Sequence, residues 1–131
     1  MPTGKMDVVV YCGRDFYLSV TNQTAAGNPF DMTGYNAVLT VKANINDPDN
    51  RALYQGGPWS SNLPFGALSF KIPHSTTGQW WKAPPSGSGA VSTVAVYDVS
   101  YADAANPRNW STMLYGNVSL QQPVTIVIPG G

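Results

Sequence analysis

Glutamate is absent from this chain of 131 residues, and charged side chains of either sign are scarce. All seven acidic residues are Asp, seven residues are basic, and only 11% of the chain is charged. A formal net charge of zero provides no long-range attraction to nucleic acid or to an anionic membrane, so we expect neither as a partner. Helix surfaces are normally rich in Glu and Lys, whereas this composition favours strands and turns.

Cysteine and histidine occur once each, which limits the chemistry that the chain can perform. Cys12 cannot form an intrachain disulfide, and we interpret it as a small side chain packed inside the fold. A Cys/His zinc set is excluded, and a catalytic triad would have to use His74. No nucleophile elbow, phosphate loop or dinucleotide fingerprint is present. We therefore expect no enzymatic activity and no cofactor.

A metal site and a membrane segment have little support in the sequence. Asp47 and Asp49 lie in an Asn-rich loop without the spacing and the Gly of a helical calcium loop, so turn formation explains them better. We expect no metal, although the sequence alone leaves a cation at this loop open. Residues 1–6 do not resemble a signal peptide, and no apolar run approaches the length of a membrane span.

Alternating apolar and polar side chains are the clearest pattern that the chain does contain. Residues 35–43 alternate directly after an Asp31-Met32-Thr33-Gly34 turn, in which Gly34 tolerates a positive φ. Similar patterns predict strands at 6–11, 16–21, 66–72, 90–101, 111–120 and 124–128, with a possible edge strand at 51–55. The pattern predicts a reversing turn at 12–14, a long loop at 56–64, a loop tip at 84–89, and a short helix at 75–81 capped by Ser75.

These elements predict an all-β fold in a single domain, residues 1–131. About seven or eight short strands joined by turns are typical of a two-sheet antiparallel β-sandwich, either jelly-roll or immunoglobulin-like. A weakly charged surface promotes association, which favours a subunit of an assembly.

Four tryptophans lie in predicted loops or at strand ends and form the candidate interface: Trp59, Trp80, Trp81 and Trp110. Aromatic side chains at such positions serve as packing residues, as anchors of protein interfaces or as stacking platforms for sugars. The sequence leaves these three roles open.

The order of motifs resembles small β-sandwich domains of tailed-bacteriophage virion proteins over residues 7–128. An Asp-Phe strand start (15–16), the Asp-Met-Thr-Gly turn (31–34), a Tyr-Asp-Val strand (97–99) and a Leu-Tyr-Gly-Asn-Val strand (114–118) carry this resemblance. Such proteins serve as capsid cement or decoration proteins and as tail or baseplate modules.

A stand-alone sandwich of this size is most similar to a capsid cement protein. The resemblance implies assembly in the host cytoplasm and location on the virion capsid surface. There the protein, as a dimer, would clamp neighbouring major capsid protein subunits. Two alternatives remain: a tail or baseplate structural protein of the same fold, and a carbohydrate-binding module that uses Trp59, Trp80 and Trp81 as a platform.

Overall fold

Strands joined by turns make up most of the described chain. A computed structural model of the protein describes residues 4–44, 46–49, 52–80 and 92–121. Within these ranges the elements are β1 (Gly4–Lys5), β2 (Val8–Tyr11), β3 (Phe16–Thr21), β4 (Tyr35–Lys42), β5 (Tyr54–Gly56), β6 (Ser60–Asn62), β7 (Ala67–Ile72), α1 (His74–Thr77), β8 (Ser92–Asp103) and β9 (Ser111–Gln121). The 3₁₀ turn Leu63–Phe65 joins β6 to β7.

The strands form two sheets that share one core, which confirms the predicted all-β sandwich. The larger sheet has the order β1-β9-β8-β4-β5, with β2 also paired to β9, and the smaller sheet has the order β3-β7-β6. Inward-facing residues of both sheets pack in one hydrophobic cluster that includes Leu39 and Val99 from the larger sheet and Phe70 from the smaller one. β8 is hydrogen-bonded on both sides, as its two-sided apolar pattern predicts.

The alternation in the sequence gives the correct inward face of the main strands. Ala37, Leu39 and Val41 of β4 are buried, whereas Asn36 is exposed. Cys12 is also buried, as predicted, and burial raises the pKa of its thiol. Since the outward positions of the same strands alternate with these residues, the strand pattern also determines which side chains are available to a partner.

One sheet is mixed rather than purely antiparallel, which corrects the prediction. β1 and β2 both run parallel to β9 along one edge of the larger sheet. The turn at residues 12–14 forms where it was expected, but β2 belongs to the larger sheet and β3 to the smaller one. The turn therefore carries the chain between sheets instead of closing a hairpin.

Three local predictions also differ from the structure or lie outside it. The predicted loop at 56–64 contains edge strand β6, which pairs with β7. Helix α1 is one turn long and has Pro73 at its N-cap position, so Ser75 does not cap it. The expected loop tip at 84–89 and last strand at 124–128 lie outside the described residues.

Gly116 shows why the Leu-Tyr-Gly-Asn-Val strand needs a glycine. Residues 6 and 7, between β1 and β2, lie directly against it: a Cβ built at Gly116 would be 2.0 Å from the carbonyl oxygen of Met6. That carbonyl accepts a hydrogen bond from the Tyr97 hydroxyl, and Asp7 accepts one from the Asn117 amide at 3.0 Å. Because this polar contact holds the first strands against β9, there is no space for a side chain.

We expect Gly116→Ala to lower the free energy of unfolding by at least about 2 kcal/mol, since the added methyl group would displace the backbone at Met6. Chemical denaturation measures this change. The matched control is Gly57→Ala, where the nearest atom to the new Cβ is the Ala37 carbonyl oxygen at 3.7 Å, an ordinary contact. Equal loss in both variants would contradict this account of Gly116.

Candidate functional site

The four tryptophans occupy different environments. Trp59 is 64% exposed and Trp110 is 48% exposed, so both rings are available at the surface. Trp80 is only 7% exposed and belongs to the hydrophobic core. Its amide donates to the carbonyl of Thr77 at 3.0 Å, in a turn that follows α1 and brings the ring inward. Trp80 is thus a packing residue here rather than an interface residue, and Trp81 lies outside the described residues.

Trp59 forms a surface cluster with Tyr17 and Lys71, which we call the aromatic patch. The rings of Tyr17 and Trp59 meet edge to face with centroids 6.0 Å apart. The Nζ atom of Lys71 lies 5.8 Å from each ring centroid, within the range of cation–π attraction. Tyr17 and Lys71 are directly paired across β3 and β7 on the outer face of the smaller sheet.

The backbone around the patch is well supported. The Trp59 amide donates to the Ser69 carbonyl at 2.8 Å, which places the start of β6 against β7. The hydroxyls of Ser19 and Ser69 lie 3.1 Å apart on the same two strands. Because the backbone that carries both rings is held by hydrogen bonds, little backbone freedom is lost on binding, which makes the patch a suitable interface anchor.

Asp15 connects the edge of the patch to α1. Its Oδ1 atom accepts hydrogen bonds from the His74 amide at 2.7 Å and from His74 Nδ1 at 3.1 Å, while Oδ2 lies 4.0 Å from Lys71 Nζ. The bond from the His74 amide, followed by that from its ring, lowers the pKa of Asp15. His74 is therefore an exposed partner of Asp15 that helps to hold α1 against the start of β3.

Trp110 borders a second surface on the opposite side of the sandwich, which we call the large-sheet groove. It has a volume of about 1040 Å³ and is floored by outward residues of β4, β8 and β9. Asp98 lies at its centre, and burial raises the pKa of this carboxyl above its ordinary value of 3.8. Smaller effects come from a hydrogen bond with Ser100 and the charge of Lys42, which lower the pKa, and from the charge of Asp49, which raises it.

The two carboxylates of the Asn-rich loop, Asp47 and Asp49, have protein partners. Asp47 Oδ2 accepts a hydrogen bond from the Asn44 amide at 3.2 Å, and Asp49 Oδ1 forms an ion pair with Lys42 Nζ at 2.7 Å. Across the part of the chain that the structure describes, no group of three or more His, Cys, Asp or Glu side chains is placed to hold a metal ion. Nor do these residues include a helix with the length and hydropathy of a membrane span.

Four further surface residues are not identified by the sequence patterns: Tyr17, Lys71, Asp98 and Tyr115. Each lies at an outward position of a predicted strand, so its direction was predictable. The signal for Asp98 was a charged residue in the middle of an otherwise apolar central strand, which predicts that this face of the strand is not part of the core. The contact of Tyr17 with Trp59 depends on tertiary structure and has no local signal.

Comparison with known proteins gives matches among solved structures but none among family models or curated sequences. No protein-family model matches the chain, and no curated protein sequence is significantly similar. Among solved structures, the chain is similar to the N-terminal domain of phage TP901-1 ORF48, with 8% identity and a TM-score of 0.43 over 93% of this chain and 89% of that chain. It is also similar to a family 123 glycoside hydrolase from Clostridium perfringens, with 10% identity and a TM-score of 0.32 over 93% of this chain and 24% of that chain.

Asp98→Asn should raise the free energy of unfolding at pH 7. The pKa of Asp98 is higher in the folded state than in the unfolded state. At any pH between these two values the folded state binds more protons, so the free energy of unfolding falls as the pH rises through this range. Asparagine removes this penalty, so the gain should shrink as the pH approaches 3.8, the ordinary value for Asp98. Urea denaturation of both proteins from pH 7 to about pH 4 measures it.

Asp15→Asn is the matched control, for which we expect a change of opposite sign in the free energy of unfolding at pH 7. The pKa of Asp15 is lowered, so its stabilising effect is present above the ordinary value of 3.8 and is lost as the pH falls through the folded pKa. This variant should be less stable than wild type at pH 7. A stability change of the same sign in both variants would contradict the two assignments.

Proposed function

We propose that this protein is a non-enzymatic structural protein of a tailed-bacteriophage virion, and more specifically a capsid cement protein. It binds the outside of the shell and clamps neighbouring major capsid protein subunits. The motif order described above supports the virion assignment, and the low charge supports a subunit of an assembly. The aromatic patch is the observation that carries the proposed mode of action.

The patch has the composition of a protein-binding anchor. Tyr17 is 56% exposed and Trp59 is 64% exposed, and both residue types are enriched at the centres of interfaces. Lys71 adds one positive charge that can pair with a carboxylate of the partner, while its stem lies beside the rings. Removing this large aromatic surface from water on binding is favourable in free energy.

Weak contacts become effective when they are repeated on a symmetric shell. A single small patch gives modest affinity, but a protein that contacts two capsid subunits, or that pairs with a second copy of itself, gains from effective concentration. We therefore propose the major capsid protein as the main partner and a dimer as the bound form. Sedimentation velocity of the free protein tests the dimer separately.

Cosedimentation with expanded, decoration-free shells tests the proposal. Wild-type protein should bind to saturation at a fixed number of copies per shell and raise the temperature at which the shell breaks. Trp59→Ala should weaken binding roughly tenfold or more, since loss of a buried interface tryptophan removes at least the 1.4 kcal/mol that corresponds to this factor.

Trp110→Ala is the matched control, because it removes an exposed tryptophan from the opposite side of the sandwich and should leave shell binding unchanged. Purified tails form the second arm of the experiment. Binding to tails but not to shells would replace the cement assignment with a tail or baseplate role, and binding to neither particle would overturn the virion assignment.

A further inference from the structure

The large-sheet groove contains a continuous row of polar side chains that the proposed clamping function does not use. Strand register places five residues side by side across five strands, in the order Gln55, Thr40, Asp98, Tyr115 and Lys5. All five line the groove. Neighbouring strands in a sheet lie about 4.8 Å apart, so this row extends roughly 19 Å over the outer face.

We infer that this groove is a binding site for a neutral oligosaccharide, which would lie along the row of polar side chains and stack on Trp110 and Tyr115. This inference does not depend on the virion assignment. It concerns a different face of the sandwich from the aromatic patch, and it names a ligand of a different chemical class.

The polar groups of the row match a ligand that carries many hydroxyls. Asp98 is an acceptor, Lys5 is a donor, and Gln55 and Thr40 can each donate and accept. Gln55 Nε2 already donates to Thr40 Oγ1 at 3.1 Å, which orients both side chains within the groove. Sugar hydroxyls both donate and accept, so they can satisfy such a mixed row one group at a time, whereas a mainly apolar protein surface would leave these groups unpaired.

Aromatic rings supply the second requirement of sugar binding. Trp110 is 48% exposed and Tyr115 is 43% exposed, and both line the groove. Tyr115 is part of the polar row itself, since it pairs directly with Asp98. The apolar C–H faces of a pyranose ring pack well on such exposed rings, while the hydroxyls at the ring edge remain free for the polar row.

The charge of the groove argues for a neutral ligand. Its described lining residues include two lysines, Lys5 and Lys42, and two aspartates, Asp49 and Asp98. Lys42 is already paired with Asp49 at 2.7 Å. With no excess of positive charge, the groove offers nothing to repay the desolvation of a phosphate, a sulfate or a nucleic-acid backbone.

The desolvated state of Asp98 is consistent with this role. Burial raises the pKa of its carboxyl by more than the Ser100 hydrogen bond and the charge of Lys42 lower it, which means that the group has lost hydration that these contacts only partly replace. A carboxylate in this state gains more from hydrogen bonds donated by a ligand than a fully hydrated one does. Asp98 is thus placed to accept hydroxyl hydrogen bonds at the centre of the groove.

A printed array of neutral oligosaccharides tests the inference. It should carry α- and β-linked glucose, galactose, mannose and N-acetylhexosamine chains, with sulfated and sialylated chains as charged controls. Wild-type protein should bind one or more neutral chains, and calorimetry with the strongest chain then gives its affinity. Trp110→Ala and Tyr115→Ala should each weaken this affinity about tenfold or more. Both side chains are partly exposed, so unchanged melting temperatures can confirm that the variants fold.

Trp59→Ala is the matched control and should bind the same chain as wild type, because its ring lies on the other face. Trp110→Phe retains a ring and should keep more affinity than Trp110→Ala. Absence of binding to every neutral chain, or binding to charged chains alone, would overturn the inference. So would equal affinities of wild type and both groove variants. If the groove variants instead lost binding to shells or tails while wild type bound no sugar, the groove would be a protein contact.

Discussion

The register of β8 between its two neighbours decides which side chains lie inside and which face a partner. Val99 pairs with Leu39 on one side and with Leu114 on the other, and it is fully buried. The preceding residue, Asp98, pairs with Thr40 and Tyr115 on the outer face. Because side chains alternate along a strand, a slip of one residue would move Asp98 into the core and Val99 out of it. The cost of burying an unpaired carboxylate is large enough to disfavour that register, so the same group that marks the groove also helps to specify the sheet.

The two outer faces of the sandwich differ in chemistry although they share one core. The smaller sheet presents two aromatic rings and a lysine, which suits burial against a protein. The larger sheet presents hydroxyl, amide, carboxylate and ammonium groups in one row beside exposed rings, which suits a hydrated ligand. Since the faces point in opposite directions, occupation of one leaves the other accessible. A partner bound at the aromatic patch therefore leaves the groove exposed to the surroundings.

The strands and inward residues that could be predicted are those that leave a local pattern in the sequence. Alternation identified β3, β4, β7 and β8 with their inward residues, because a period of two is a property of neighbouring positions. It missed β6, a short edge strand of three exposed residues, and the parallel pairing of β1 and β2 with β9, because both depend on partners distant in sequence. The same limit applies to the tryptophans. Trp59 and Trp80 both follow Gly- or Pro-containing segments, yet a single helical turn brings only Trp80 into the core. The polar row could not be predicted from the sequence either, because it depends on the register of five strands.

The parallel pairing at the edge of the larger sheet has a mechanical consequence. In a parallel pair, tension applied to the chain before β1 and after β9 pulls the two strands in opposite directions along their length. β2 and β9 are matched over four consecutive residue pairs, from Val8 with Val118 to Tyr11 with Gln121. Such a load acts on these hydrogen bonds together, as shear, instead of opening them one by one. The contact of Met6 and Asp7 with Gly116 and Asn117 lies directly before this stretch and adds resistance to sliding. The fold is thus arranged to bear force along the direction in which its first and last described strands run.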